Sequence, residues 1–156
     1  MNIRGKLLLA SLATGLAMWS IAQGQEKKIK RSELPPAVEK TVAAQSEGAT
    51  IRGFSTEVEG GKRLYEVALN IEGRGKDILI DRRGNIVEVE EEVALDSLPA
   101  AVREGLARAA GRGTISRVES LTKRGKLVAY EAVVKTGARR REVQVGPGGE
   151  KLARPE

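Results

Sequence analysis

One heptapeptide of this chain occurs twice. LPPAVEK spans residues 34–40, and LPAAVRE follows at residues 98–104, an offset of 64. The match continues as Tyr65–Glu66 and Tyr130–Glu131 at an offset of 65, so one residue is gained in a loop between them. A register that persists with a single shift at a turn indicates internal duplication. The sequence therefore predicts two copies of one structural unit.

Each copy begins with the start of a helix. Ser32 and Ser97 precede Pro35 and Pro99, where an N-cap and a first-turn proline are expected, give or take a residue. Apolar residues then follow at helical spacing: Leu34, Val38 and Val42 in the first copy, and Leu98, Val102, Leu106 and Ala109 in the second. A helix with one narrow apolar stripe is not stable alone. Each helix must therefore lie on another element.

Strand patterns follow both helices. In residues 63–72, covered and open positions alternate: Tyr65, Val67 and Leu69 against Glu66, Ala68 and Asn70. Such alternation predicts a strand with one covered and one open face. Gly-rich segments such as GRGK and TGARR stand where hairpin turns are expected. Each copy is therefore predicted to be one helix followed by about four short antiparallel strands.

The predicted fold class is α+β, with two tandem repeats that each pack one helix on an antiparallel meander. The repeats span residues 29–92 and 95–154. Their sheets either join into one longer sheet or pack side by side. The acidic stretch over residues 88–97, EVEEEVALDS, is interpreted as a solvated strand end and linker.

The first residues have the pattern of a secretory signal peptide over residues 1–22. Arg4 and Lys6 precede an uncharged run of 16 residues that ends in small side chains, and cleavage fits after Ala22 or Gly24. The run is shorter than the roughly 20 residues that span a bilayer. There is no Cys for a lipid anchor. We expect an exported protein in the periplasm or outside the cell, with no stable membrane anchor.

The tandem order of helix and antiparallel strands, with the LPxAV helix start and the YE of the second strand, resembles the PepSY-like family. This family is related to the beta-lactamase inhibitor protein, whose fold is likewise a tandem repeat. The resemblance covers about residues 29–154 and implies a protein-binding role in the envelope, without catalytic residues. The chain shows no counterpart of the inhibitor's enzyme-binding loops and no Cys. No functional residue is carried over.

The composition excludes several kinds of chemistry. Without His and Cys, the chain cannot form a Ser–His–Asp triad, a Cys–His pair or a common zinc site. Candidate acid–base groups are scattered over predicted strands and turns: Glu57, Glu59, Glu66, Asp77, Asp81 and Glu131. Alternating charge on strands usually keeps an exposed face soluble. We therefore expect no enzyme, no catalytic residue, no cofactor and no metal site.

The predicted open sheet face is the candidate binding surface. Its residues are Glu66, Ala68 and Asn70 in the first copy and Glu131, Val133 and Lys135 in the second. The predicted function is that of a non-enzymatic envelope binding protein, with inhibition or regulation of an exported enzyme as the specific role. The partner is expected to be a protein, and its identity and the oligomeric state stay open.

The alternative function is electrostatic binding to anionic envelope polymers or a membrane surface. It depends on the basic clusters over residues 27–31, 81–84 and 138–141, in a chain of net charge +6. Nucleic acid is not expected as the partner. Proteins that bind single strands need aromatic platforms, and only Phe54, Tyr65 and Tyr130 follow the signal peptide.

Overall fold

The structure, a computed structural model, describes residues 26–156. The predicted signal peptide lies outside these residues. Eight strands are present: β1 (Lys27–Ile29), β2 (Thr50–Glu59), β3 (Lys62–Ile71), β4 (Arg74–Asp81), β5 (Ile86–Glu92), β6 (Thr114–Lys123), β7 (Lys126–Thr136) and β8 (Arg139–Val145). Two α-helices accompany them, α1 (Pro36–Gln45) and α2 (Ala100–Ala110). No helix in this part of the chain is long and apolar enough to cross a membrane.

All eight strands form one antiparallel sheet in the order β1-β2-β3-β4-β5-β6-β7-β8. The fold is therefore mostly β, a single meander with two short helices. The predicted α+β class with two tandem helix-plus-strand units is wrong. Of the two arrangements left open for the strands, the joined sheet is the one observed. The boundary between residues 29–92 and 95–154 stays a prediction.

The acidic segment explains the difference from the predicted class. Its first part forms β5, which pairs with β4 on one side and with β6 on the other, from Glu88 opposite Lys123 to Glu92 opposite Glu119. A strand at the edge of a sheet exposes unpaired backbone groups that invite aggregation. Pairing β5 with β6 covers the edge that a separate first unit would have left open.

The two helices pack on the same face of the sheet. Val38 and Val42 of α1 lie in one buried cluster with Tyr65, Val67, Leu69, Ile78 and Ile80. Val102 and Leu106 of α2 lie in a second cluster with Leu98, Val118, Ala132 and Val145, against which Tyr130 packs. These contacts confirm the predicted apolar stripes.

The helix starts differ from prediction in detail. Pro35 and Pro99 are the N-cap residues, so the helices begin one residue later, at Pro36 and Ala100. Ser97 lies in a short 3-10 turn before α2, and its hydroxyl donates to the carbonyl of Ala94. Neither serine caps its helix, because no side chain forms an N-cap hydrogen bond at either helix start.

A glycine in one turn of each half of the sheet lets that turn touch a helix: Gly84 lies between β4 and β5, and Gly149 follows β8. An added Cβ at Gly84, whose φ is +87°, would lie 2.6 Å from the carbonyl oxygen of Ala37 in α1. Gly149, with φ of +81°, makes the same close approach to the carbonyl of Ala101 in α2. Backbone contact at these two places sets the distance between each helix and the sheet.

Candidate functional site

The sheet face opposite the helices carries all six predicted binding residues. Glu66, Ala68 and Asn70 alternate with the buried Tyr65, Val67 and Leu69 along β3, and Glu131, Val133 and Lys135 alternate with the buried Ala132 and Val134 along β7. We call this the open face. The six residues do not form one cluster. Glu66 and Glu131 line one cavity, Val133 and Lys135 line another, and Ala68 and Asn70 line neither of these two.

Asn70 has a role in local structure. Its side-chain oxygen accepts a hydrogen bond of 3.1 Å from the backbone N–H of Gly73, in the turn between β3 and β4. Ala68 lies between Gly53 of β2 and Asp77 of β4. A binding role for the six residues as a set stays a prediction.

The first cavity, which we call the carboxylate groove, has a volume of about 610 Å³. Its lining residues are Glu26, Glu57, Glu59, Glu66, Asp77, Leu79, Glu88, Glu90, Arg117, Glu119, Leu121, Lys123, Glu131, Glu142, Gln144 and Glu156. They come from one side of the seven strands β2 to β8 and from both ends of the described chain. One cavity lined by seven neighbouring strands requires a concave face. The burial of Leu121 and Val133, which are 3% and 7% exposed, agrees with this curvature.

The groove concentrates negative charge. Eleven of its lining residues are carboxylic acids, and only Arg117 and Lys123 are basic. The chain as a whole has a net charge of +6. The groove is therefore opposite in sign to the protein that contains it, and the excess of basic residues lies elsewhere on the chain.

Glu90 lies at the centre of this charge. Asp77 of β4 is opposite it on one side, and Leu121 of β6 is opposite it on the other. Burial raises the pKa of Glu90 to about 8, with further contributions from the nearby carboxylates of Glu131 and Glu88. It has no hydrogen-bond or ion-pair partner within residues 26–156. At neutral pH the Glu90 carboxyl at the centre of the groove is therefore mostly protonated.

The pKa values of five surrounding acids are also raised. Burial is the main cause that raises the pKa values of Glu66, Asp77, Glu88, Glu119 and Glu131. The apolar side chains of Leu79 and Leu121 in the lining contribute to this desolvation. The ionised forms are thus disfavoured in the groove, and a cation that entered it would favour them.

Side-chain contacts hold several of these acids in place. The Ser55 hydroxyl donates a 2.7 Å hydrogen bond to Glu66, and the Gln144 amide donates one of 2.7 Å to Glu131. Lys123 lies 3.4 Å from Glu88 across the junction of β5 and β6. These contacts fix the positions of the oxygens while leaving most of the negative charge unneutralised.

The arrangement does not resemble a metal centre. Within residues 26–156, no three carboxylates are grouped closely enough to ligate a metal ion. The acids are spread along the groove instead. An extended ligand with several positive charges fits this distribution better than a single ion does.

Sequence reasoning found only part of the groove. Five of the groove acids are expected from the sequence only as separate solvated groups, and the structure brings them together: Glu57, Glu59, Glu66, Asp77 and Glu131. Sequence reasoning missed Glu119, and it placed Glu88 and Glu90 in a solvated linker. The signal available was the alternation of Glu88 and Glu90 with Val87 and Val89, which is typical of a strand with an acidic face.

Replacing Glu90 with Gln is expected to stabilise the fold at about pH 9 and to leave it nearly unchanged at about pH 5. The pKa of Glu90 is raised from 4.5 to about 8. Its contribution to stability is complete below pH 4.5 and is lost as the pH rises through 8. The gain at about pH 9 should be roughly 2 kcal/mol, because the open groove partly screens the charge.

Urea unfolding of both proteins at the two pH values measures this effect. Glu91→Gln is the matched control, since Glu91 lies next in β5 and its exposed side chain points away from the groove, 3.6 Å from Lys76. Equal pH dependence in wild type and Glu90→Gln would show that Glu90 does not carry the effect.

The same fold occurs in solved bacterial proteins. A BLIP-like protein from Bacteroides fragilis is 20% identical, with a TM-score of 0.56 over 76% of this chain and 83% of that one. A DUF2874 family protein from Bacteroides ovatus is 18% identical, with a TM-score of 0.59 over 76% and 84%. A candidate periplasmic protein from Bacteroides eggerthii is 17% identical, with a TM-score of 0.62 over 76% and 86%.

Identities this low establish a shared fold and nothing more. The likeness to a BLIP-like protein supports the predicted resemblance to inhibitor proteins at the level of fold, while the PepSY-like assignment stays a prediction. No protein-family model and no curated protein matches the chain.

Proposed function

We propose that this chain is an exported, non-enzymatic binding protein that holds a Lys/Arg-rich segment of a partner protein in its carboxylate groove. The observation that carries the proposal is the concentration of eleven carboxylic acids in one concave face of a chain with positive net charge. Electrostatic complementarity of this kind gives specificity and fast association. The partner therefore presents a basic, protruding segment.

The energetic basis lies in the electrostatics of the carboxylate groove. Its acids repel one another, and burial raises the pKa of Glu90 to about 8. Lysine and arginine side chains entering the groove would remove this repulsion and form charge-assisted hydrogen bonds. Binding would also release a proton from Glu90, so affinity for the partner should rise as the pH approaches and passes 8.

Inhibition or regulation of an exported enzyme is the specific role that we favour. The signal-peptide pattern over residues 1–22 supports export, and a structure of the same fold from Bacteroides eggerthii is a candidate periplasmic protein. An inhibitory role is compatible with the fold that this chain shares with a BLIP-like protein. The lack of His and Cys supports a non-enzymatic one.

Affinity capture tests this function. Residues 26–156 would be immobilised and exposed to nuclease-treated envelope extract of the source organism, then washed at low salt and at about 1 M salt, where screening shortens to about 3 Å. The proposal expects one main protein, which binds again when purified and presents a basic segment at the contact. A captured protein without such a segment would contradict it.

Electrostatic binding to anionic polymers or a membrane surface is the second candidate function. It is favoured by the separation of charge, because a negative groove in a chain of net charge +6 leaves the remaining surface strongly basic. This function predicts that all capture is lost at high salt and that neutralising the groove does not weaken it.

A further inference from the structure

A second cavity, of about 660 Å³, lies on the open face where β6, β7 and β8 run together. We call it the basic end. It is lined by Ser116, Arg117, Val133, Lys135, Arg140, Arg141 and Glu142. On the open face, three of these residues are basic (Arg117, Lys135 and Arg140) and one is acidic (Glu142), so its charge is opposite to that of the carboxylate groove beside it.

Two of the basic residues in the lining are held by the protein itself, and the Arg141 side chain points to the helix side of the sheet. The guanidinium of Arg141 donates hydrogen bonds of 2.9 and 2.8 Å to the carbonyls of Ala109 and Ala110, at the C-terminal end of α2. Arg117 lies 3.4 Å from Glu119. These contacts anchor the wall of the cavity to the helix and to the groove.

The other two basic side chains face each other without a counterion. Lys135 of β7 is directly opposite Arg140 of β8 in the antiparallel register. Neither forms an ion pair within residues 26–156. Like charges at directly opposed positions, about 5 Å apart at Cβ, destabilise a sheet. An anion bound between them would remove this repulsion.

A β-bulge contributes to the same cavity. The register shifts between Ile115 and Arg117, so Ser116 is left unpaired and its hydroxyl donates to the carbonyl of Val133 at 3.1 Å. Bulges commonly re-aim the side chain that follows them. The shift sets Arg117 beside Val133, within reach of the space that Lys135 and Arg140 border.

The first half of the sheet lacks this chemistry. It also has a bulge, between Ile51 and Gly53. At the repeat offsets of 64 and 65, however, Gly53, Asn70 and Gly75 stand in place of Arg117, Lys135 and Arg140. The fold common to the two halves therefore does not require basic residues at these three positions. Their presence together in the second half needs a separate explanation.

We propose that the basic end is a binding site for a tetrahedral oxyanion, a phosphate or sulfate group, held between Lys135 and Arg140 with Arg117 beside it. The Arg140 guanidinium offers paired donors that match two oxygens of such a group, and the Lys135 ammonium supplies a point charge. Glu142 lies toward the carboxylate groove and repels anions from that side. Because the site is recessed, it should bind a small anion that can enter it more tightly than it binds a flat charged surface.

Titration with inorganic phosphate tests this site without any partner protein, so its result is independent of the proposed function. Calorimetry at constant low ionic strength would compare wild type with Lys135→Gln/Arg140→Gln. Saturable binding that weakens roughly tenfold or more in the variant is expected, because two charge-assisted contacts are removed. Absence of saturable binding to wild type would overturn the proposal.

Arg82→Gln/Lys126→Gln is the matched control. It removes one Arg and one Lys at exposed positions outside the cavity, so the change in net charge is the same. Phosphate affinity close to wild type is expected in this control, and an equal loss in both variants would overturn the site in favour of general charge attraction. Thermal unfolding would verify that both variants are folded.

Vesicles distinguish the sources of the oxyanion. Phosphatidylglycerol vesicles present phosphate on a flat surface, and phosphatidylcholine vesicles serve as the neutral comparison. Phosphate binding that depends on Lys135 and Arg140 supports the site, whether or not vesicles also bind. Vesicle binding without saturable phosphate binding would overturn it, because the contact would then be a surface and not the recess.

Discussion

Changing Glu66, Glu90, Glu119 and Glu131 together to Gln is expected to weaken binding of a basic partner by about a hundredfold or more. All four residues line the carboxylate groove. A hundredfold loss of affinity corresponds to about 2.7 kcal/mol of binding free energy. Four charge-assisted hydrogen bonds in a recessed site can contribute more than this amount. Calorimetry with the purified captured protein, and with a synthetic oligolysine peptide as a defined probe, measures the loss.

The variant should fold well, which makes the binding result interpretable. Gln keeps an acceptor oxygen for the Ser55 hydroxyl at position 66 and for the Gln144 amide at position 131. It also removes the carboxyl of Glu90, whose pKa is raised first by burial and then by repulsion from neighbouring carboxylates. Stability at neutral pH should therefore be equal to that of wild type or higher.

A control that removes the same number of carboxyl groups isolates the groove. Glu47→Gln, Glu72→Gln, Asp96→Asn and Glu104→Gln neutralise four exposed acids outside it. Exposed charges of this kind contribute little at physiological salt. Equal weakening in both variants would contradict docking in the groove, and so would undiminished binding by the groove variant.

Gly149→Ala is expected to destabilise the fold by roughly 2 to 5 kcal/mol. Gly149 has a φ of +81°, which costs a residue with a Cβ about 1–2 kcal/mol. The added Cβ would also clash with the carbonyl of Ala101 and the backbone of Val102 in α2. Overpacking of this kind costs a further 1–3 kcal/mol or so. Urea unfolding measures the change.

Gly125→Ala separates the two causes. Gly125 has a similar φ of +77°, but no atom lies within 4 Å of the Cβ that Ala would add. This control should lose only about 1 kcal/mol. Equal destabilisation in the two variants would show that the contact between the last turn and α2 adds nothing to stability.

Local patterns predicted the elements of this fold well. The spacing of Val38 and Val42 placed α1 on the sheet, and the alternation around Val67 placed Glu66 on the open face. Such signals depend on neighbours a few residues away, and the periods of helix and strand make them readable. The fold class was wrong because the β5–β6 pairing is not a local property. An acidic strand looks the same in sequence whether its edge meets solvent or another strand.

The candidate site was predictable only where it depends on the alternation of residues along a single strand. Glu66 and Glu131 were expected on the open face, and both line the carboxylate groove. Glu90 and Glu119 were not, because their environment depends on the side chains opposite them in neighbouring strands and on the curvature of the sheet. The opposed Lys135 and Arg140 at the basic end likewise become neighbours only through the β7–β8 register.

The sequence by itself determined which segments form the two helices and the strands that follow them, which side of those strands is apolar, and that neither Cys nor His can take part in catalysis. Only the tertiary structure decided that the strands form one concave sheet with a carboxylate groove and a basic end. The physical reason is the distance along the chain between the residues that interact. Side-chain periodicity is set by adjacent residues, whereas strand pairing and desolvation depend on groups that lie far apart in the chain and meet only when it folds.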